Sequence, residues 1–299
     1  MSRRIGIDLG GTKTEVILTE ENVLQEVRRR RVPTQQERGY VFIIEQIAEL
    51  VSEFQNMCDE PPVIGMGIPG SLFPQTGLVR NANTQCLIGK PLKKDLEKLV
   101  NSPVTIENDA NCFALSEALL GAGKNHTMVA GVIMGTGMGG GIIYEGKLWK
   151  GQHGIAGEWG HSSINVDGPS CWCGQKGCME LYLSGTGIQH RYQEKTGFFK
   201  NVREIYESYE HHTDQAATKV IQETMFYFGR AMANLIDTLD PNIIVIGGGI
   251  SNLEVLYSDG VRQTAAQLFN PELQTPIVKN ELGDSSGVYG AALLAGNTL

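Results

Sequence analysis

Twice in this chain a short apolar strand runs into a glycine turn carrying a threonine and then returns as a second strand. Ile5 to Leu9, Gly10-Gly11 and Thr14 to Leu18 make the first copy; Val129 to Met134, Gly135 to Gly141 and Ile142 to Tyr144 make the second. Glycine turns between apolar runs are hairpin signals. Each hairpin opens a stretch in which strands alternate with helices, which predicts α/β layers, and internal duplication is the economical explanation of the echo. A length of 299 residues favours two domains over one. Periodicity predicts a helix through Tyr40, Ile43, Ile44, Ile47, Leu50, Val51 and Phe54, another from Ala110 to Leu120, and a long one from Ala216 to Leu239 stopped by Pro241. The last helix runs from Gly287 to Gly296 behind Asp284-Ser285-Ser286, and buried strands are expected at Val63 to Ile68, Val104 to Glu107 and Ile243 to Ile246.

Between the second hairpin and the long helix lies the densest chemistry. His161, Cys171, Cys173 and Cys178 supply one imidazole and three thiolates, a full tetrahedral set for structural zinc with no position left for catalytic water. A disulfide among the three cysteines would strand one of them, and a Cys-x-Cys pair closes a strained ring. The first residues run straight into a strand with no secretory leader, so a reducing, cytoplasmic compartment is expected, where clustered cysteines more often bind metal. Cys58, Cys86 and Cys112 sit apart and read as small core residues.

Charge narrows the partners. A net charge of −8 argues against a nucleic-acid surface, which needs a basic face. Arg28 to Arg31 are the local exception and read as a solvated edge strand or turn before an anion patch. No apolar run approaches the roughly 18 residues of a membrane helix.

Three glycine turns directly follow strands: Gly10-Gly11-Thr12-Lys13, Gly135-Thr136-Gly137 and Gly247-Gly248-Gly249. Glycine lets backbone N–H groups approach a phosphate, although any one of the three could be a plain hairpin turn. The Walker spacing and the dinucleotide fingerprint are both absent. Asp109, where a strand meets a helix, is the candidate general base; plain N-capping by the Asn108-Asp109 pair is the alternative. Asn81, Asn83, Asn108, Glu158, His161 and Glu180 are polar residues suited to gripping several hydroxyls, with surface glutamates as the bland reading of Glu158 and Glu180.

With these pieces in place the chain resembles the ROK family (repressors, uncharacterised frames and sugar kinases) over nearly its whole length. The resemblance is carried by Asp8-Leu9-Gly10-Gly11-Thr12-Lys13, Asn108-Asp109-Ala110-Asn111, Gly135-Thr136-Gly137, Gly157-Glu158-Trp159-Gly160-His161, the cysteine cluster and Gly247-Gly248-Gly249-Ile250-Ser251. It implies a two-domain actin-like (ribonuclease H-like) α/β sugar kinase fold, with ATP and sugar in an interdomain cleft. The domains would be residues 1–118 with 285–299, and 119–284 carrying the zinc loop. By the same resemblance Asp109 is the catalytic base, and Asn83, Asn108, Glu158, His161 and Glu180 form the sugar shell. Gly10 to Lys13 and Gly135 to Gly137 are the phosphate loops, Asp8 lies near Mg2+, and Gly247 to Gly249 is the adenosine motif.

Family repressors carry an N-terminal winged helix, whereas here the first phosphate strand begins at Ile5, so a kinase is expected. Gly70-Ser71-Leu72-Phe73-Pro74, Asn81-Ala82-Asn83 and Gly283 to Val288 look most like the fructokinase/mannokinase branch. That similarity implies ATP-dependent phosphorylation of fructose at its 6-hydroxyl. N-acetylglucosamine kinase or glucokinase of the same family is the alternative, a non-catalytic sugar sensor is the alternative from another class, and a homodimer is the family-level expectation.

Overall fold

The computed structural model describes residues 3–270 and 272–294. In chain order the elements are β1 (Arg4–Leu9), β2 (Lys13–Thr19), β3 (Glu26–Pro33), α1 (Tyr40–Gln55), β4 (Val63–Ile68), the short pair β5 (Ser71–Leu72) and β6 (Val79–Arg80), α2 (Leu92–Val100), β7 (Val104–Asn108) and α3 (Asp109–Leu119). The second stretch follows with β8 (Met128–Met134), β9 (Met138–Tyr144), β10 (Lys147–Leu148), α4 (Glu180–Leu183), α5 (Gly185–Thr196), α6 (Val202–Glu210), α7 (Gln215–Leu239), β11 (Ile243–Gly247), α8 (Asp259–Gln267), β12 (Ile277–Lys279) and α9 (Ser286–Leu294).

Among the described residues two five-stranded sheets form, in the orders β3-β2-β1-β4-β7 and β10-β9-β8-β11-β12. Counted from its own hairpin, each sheet has the order 3-2-1-4-5, which is what duplication of one unit produces. In the first, β1, β2 and β3 pair antiparallel, whereas β1, β4 and β7 run parallel. In the second, β8, β11 and β12 run parallel. Contacts divide the chain into two compact units, Met1–Gly121 with Gly141–Ala156 and Leu282–Leu299, and Ala122–Gly140 with Gly157–Glu281. Compared with the division expected from sequence, residues 141–156 group with the first unit.

In the first unit, Ile43, Ile47, Val51 and Phe54 of α1 bury against the apolar residues of β1, β2 and β4. Helix α9 closes the sheet's other side through an unusually near approach. Gly6 and Gly65 are partners across β1 and β4, and an added Cβ would lie 2.4 Å from the Val288 carbonyl oxygen at the first and 1.9 Å from that of Ala291 at the second. The core of the second unit is carried by α7, which buries Val220, Ile221, Met225, Phe228, Met232 and Ile236 beside Ile244 and Ile246 of β11. Asp214 starts that helix by accepting from the Ala216 and Ala217 N–H groups, and left-handed Asp240 followed by Pro241 ends it.

Two expectations need correction. The second glycine run is a turn only at Gly135–Gly137, and Met138 already begins β9. Gly140 and Gly141 sit inside the strand because neighbours leave no room: a Cβ at Gly140 would lie 2.2 Å from Trp159 Nε1, and one at Gly141 2.7 Å from Ala114 Cβ. The final helix starts at Ser286, behind a 3-10 turn over Gly283–Ser285, and its expected last residues, 295 and 296, lie outside the described chain. The Arg28–Arg31 run is edge strand β3, and its side chains are paired by face. Arg29 and Arg31 bind buried Glu15, while Arg28 and Arg30 bind Glu53. Among the described residues no helix is long and apolar enough to cross a membrane.

Candidate functional site

The first unit gathers its polar residues at the carboxyl ends of β1, β4 and β7, where parallel strands characteristically bind ligands. Asp8, Gly67 and Glu107 form one lateral row across the three strands, and Asn108 stands beside Ile68 one step on. The strand-to-helix junction separates two roles that the sequence left merged. Asn108 is the N-cap: its Oδ1 accepts from the Ala110 and Asn111 N–H groups at 2.9 and 3.3 Å, and its Nδ2 donates to the Gly70 carbonyl at 3.2 Å. Asp109 is the first helical residue, and its Oδ1 accepts from the Ala110 N–H at 2.8 Å. Capping therefore does not account for an aspartate at 109. Asn83 is exposed and its N–H donates to the Pro69 carbonyl, so it shares the Pro69-Gly70 turn with Asn108.

Glu107 was not singled out from the sequence. Its Oε1 accepts from the Asn108 N–H and from Asn111 Nδ2, both at 3.2 Å, and its Oε2 pairs with Lys150 Nζ at 2.8 Å. This carboxylate fixes the backbone on which Asp109 stands. Its signal in the sequence is Asn111, one turn into α3; Lys150, reached across 43 residues of chain, gives none. Thr34 was missed as well. Fully buried, it holds the Gly10–Lys13 turn by donating Oγ1–H to the Gly10 carbonyl (2.7 Å) and N–H to the Thr12 carbonyl (3.0 Å).

Burial and the Glu15 carboxylate push the Asp8 carboxyl up to about 6, against opposing pulls from Lys13 and Arg31. The sign follows from linkage: between pH 4 and 6 the folded chain keeps a proton that the unfolded chain has released. Asp8 therefore subtracts from stability progressively as pH rises through that window, and its cost is constant above it. Asp8→Asn should abolish this slope and melt at a higher temperature than wild type at pH 7. Thermal melts from pH 4 to 7 without nucleotide check it, and parallel curves for the two proteins would refute it.

In the second unit a 3-10 turn over Glu158–His161 puts Glu158 and His161 on one side, since residues three apart eclipse. Burial raises the Glu158 carboxyl, His161 opposes, and Glu180 adds to the rise. The ligand atoms of His161, Cys171, Cys173 and Cys178 all lie within 4.8 Å of one another. His161 Nδ1 is 3.7 Å from Cys171 Sγ, and Cys173 Sγ is 3.5 Å from Cys178 Sγ. Tetrahedral zinc at about 2.3 Å from each sulfur would separate sulfurs by about 3.8 Å, so the donors fit the ion. Burial, with Cys173 and Cys171 alongside, pushes the Cys178 thiol up to about 12, so a cation is what would hold that sulfur as a thiolate. Glu180 does not stand apart from this loop as an idle surface acid: its Oε1 accepts from Trp172 Nε1 at 2.9 Å and its Oε2 from the Met138 N–H at 3.0 Å.

The glycine turns end β1, β8 and β11. Gly11, Gly135 and Gly249 share a property that distinguishes them from structural glycines. Their backbones are outside the left-handed region, and an added Cβ would meet nothing within 4 Å. Neither conformation nor protein packing demands glycine there. An unhindered backbone in one glycine of each turn suits the close approach of phosphate oxygens.

The ROK family model matches residues 4–298. An N-acetyl-D-glucosamine kinase of Vibrio atlanticus is 40% identical, over 97% of this chain and 98% of its own. The crystal structure of ROK hexokinase from Thermus thermophilus superposes with a TM-score of 0.88 at 30% identity, covering 98% of this chain and 97% of that one. A ROK family glucokinase from Streptomyces griseus, in complex with glucose and AMPPNP, gives 0.82 at 28% identity, covering 99% of this chain and all of that one. The mixed α/β fold matches that of the actin-like ROK sugar kinases, and the chain belongs to the ROK family.

Proposed function

We propose that the chain is an ATP-dependent sugar kinase whose preferred acceptor is N-acetylglucosamine. The observation that carries the choice of sugar is the near-full-length 40% identity to an N-acetyl-D-glucosamine kinase, together with a second such kinase, from Vibrio cholerae, at 37%. These relatives displace the fructose preference expected from sequence, which rested on short tracts around Gly70, Asn81 and Gly283. In this reading Asp109 accepts the proton of the attacking hydroxyl, held in place by the Asn108 cap and the Glu107–Lys150 pair. Asn83, Asn108, Glu158 and His161 bind sugar hydroxyls, and Glu180 completes that shell. Gly10 to Lys13, Gly135 to Gly137 and Gly247 to Gly249 receive the nucleotide, and Asp8 serves the magnesium that neutralises phosphate charge. Zinc bound by His161, Cys171, Cys173 and Cys178 would supply structural cross-linking alone, because four protein donors complete its tetrahedron.

ADP release measured over N-acetylglucosamine, N-acetylmannosamine, glucose, mannose and fructose decides the acceptor. N-acetylglucosamine should exceed fructose at least about tenfold in kcat/KM, the scale of discrimination that a few pocket contacts supply. Higher efficiency on fructose or mannose would restore the other branch. Sugar binding without ADP release on any sugar would make the chain a sensor.

A further inference from the structure

Within the second unit the Gly135–Gly137 turn hangs from one short stretch of chain. The Gly185 N–H donates to the Gly135 carbonyl at 2.7 Å, the Thr186 N–H to the Thr136 carbonyl at 3.4 Å, and the Met138 N–H to Glu180 Oε2 at 3.0 Å. The fit is close: a Cβ added at Gly137 would lie 2.8 Å from Glu180 Oε2, and one at Gly185 3.0 Å from the Gly135 carbonyl oxygen. Residues 180–186 continue directly from Cys178, and the Leu181 N–H is bonded to the Cys178 carbonyl at 3.0 Å.

The other end of Glu180 faces the cysteine loop. Trp172 lies between Cys171 and Cys173, is 65% exposed, and donates its indole N–H to Glu180 Oε1 at 2.9 Å. Its ring meets the His161 ring edge-on, with centroids 4.9 Å apart. Core packing does not require so exposed a tryptophan, whereas this pair of contacts uses both its N–H and its ring. Glu180 thus spans from the glycine turn to a residue fixed by two flanking metal ligands.

We propose that Glu180 and Trp172 couple the Cys3His loop to the glycine turn, so that metal occupancy sets the affinity for nucleotide phosphates. The coupling rests on the reading of Gly135–Gly137 as a phosphate turn. Anion binding by backbone N–H groups needs them held converged, and a turn ordered in advance does not lose that ordering entropy on binding. Ligation of the loop orders Trp172 and the chain leaving Cys178, and through Glu180 and Gly185 both constraints reach the turn. Glu180 and Trp172 act here as positioning residues.

The test uses the full chain, zinc-loaded or stripped by a chelator, and calorimetric binding of the magnesium complex of the β,γ-imido analogue of ATP without sugar. Far-UV circular dichroism establishes whether the stripped chain remains folded. Stripping should weaken binding about tenfold or more, the scale of one charge-assisted hydrogen bond, and added zinc should restore it. Trp172→Phe keeps the four ligands and an aromatic ring but loses the indole donor. It should bind the analogue about threefold or more weakly at unchanged zinc content, a fraction of the worth of the one charge-assisted hydrogen bond removed. Equal affinity with and without metal in a folded chain overturns the coupling. If stripping unfolds the chain, wild-type affinity in Trp172→Phe overturns it. Metal-dependent nucleotide binding in a chain that phosphorylates no sugar would keep the coupling and remove the kinase reading. An active kinase with metal-independent nucleotide affinity would do the reverse, and a loaded chain that does not bind the analogue would lose both.

Discussion

Asp109→Asn should lower kcat by on the order of 10² to 10⁴, the usual contribution of a positioned general base, while leaving sugar affinity within about twofold. The substitution isolates proton acceptance because the cap of α3 is formed by Asn108, so an amide at 109 need not disturb the helix start. An asparagine oxygen can also still accept from the Ala110 N–H, as Asp109 Oδ1 does. Steady-state ADP release and equilibrium sugar binding on the same preparation separate the two effects. A kcat near wild type would remove Asp109 from the mechanism. A parallel loss of sugar affinity would make it a sugar ligand and not a base.

The second large effect concerns the scaffold. Gly65→Ala should cost about 3 kcal/mol or more of stability, because its Cβ would stand 1.9 Å from the Ala291 carbonyl oxygen and 3.3 Å from Leu294 Cβ. The obstacle at Ala291 is backbone, so no rotamer change relieves it; α9 must lift from β4, and with it the contacts on β1. Gly11→Ala is the contrasting case, with no neighbour and no left-handed backbone. It should change stability by no more than about 0.5 kcal/mol yet weaken nucleotide binding. Urea midpoints for both variants decide this, and an unchanged midpoint for Gly65→Ala would refute the packing argument.

What the sequence disclosed, and what it hid, divides along the range of the interactions involved. The juxtaposition of His161, Cys171, Cys173 and Cys178 was readable because the four donors fall within one loop and zinc chemistry restricts their types. Helix α7 was readable because its apolar residues repeat with the helical period and Pro241 stops it. The Gly139 to Gly141 run was misread as turn because glycine in a strand answers to distant neighbours, here Trp159 and Ala114, that local pattern does not contain. The same holds for Arg29 and Arg31, whose partner Glu15 lies on the neighbouring strand and is almost wholly buried. Helix α5 was not anticipated: it opens Gly185-Thr186-Gly187, and its buried residues include a charged one, Arg191, bonded to the Tyr182 carbonyl and Thr224 Oγ1. At the candidate site the residue types were legible. Which of Asn108 and Asp109 makes the cap, and that Glu180 uses both oxygens within the protein, required coordinates.

The seat of α9 on β1 and β4 bears on the order in which the molecule can be made. The first unit contains the first strand but also residues from 282 onward, so contacts such as Gly6 against Val288 join segments far apart in sequence. During synthesis β1 and β4 must wait, with one face of their sheet bare, until α9 (Ser286–Leu294) has been translated. The second unit, bounded by residues 122 and 281, has all its segments sooner. The half that emerges first from the ribosome is therefore the half that matures last, and its exposed strands are where a chaperone would be needed during elongation.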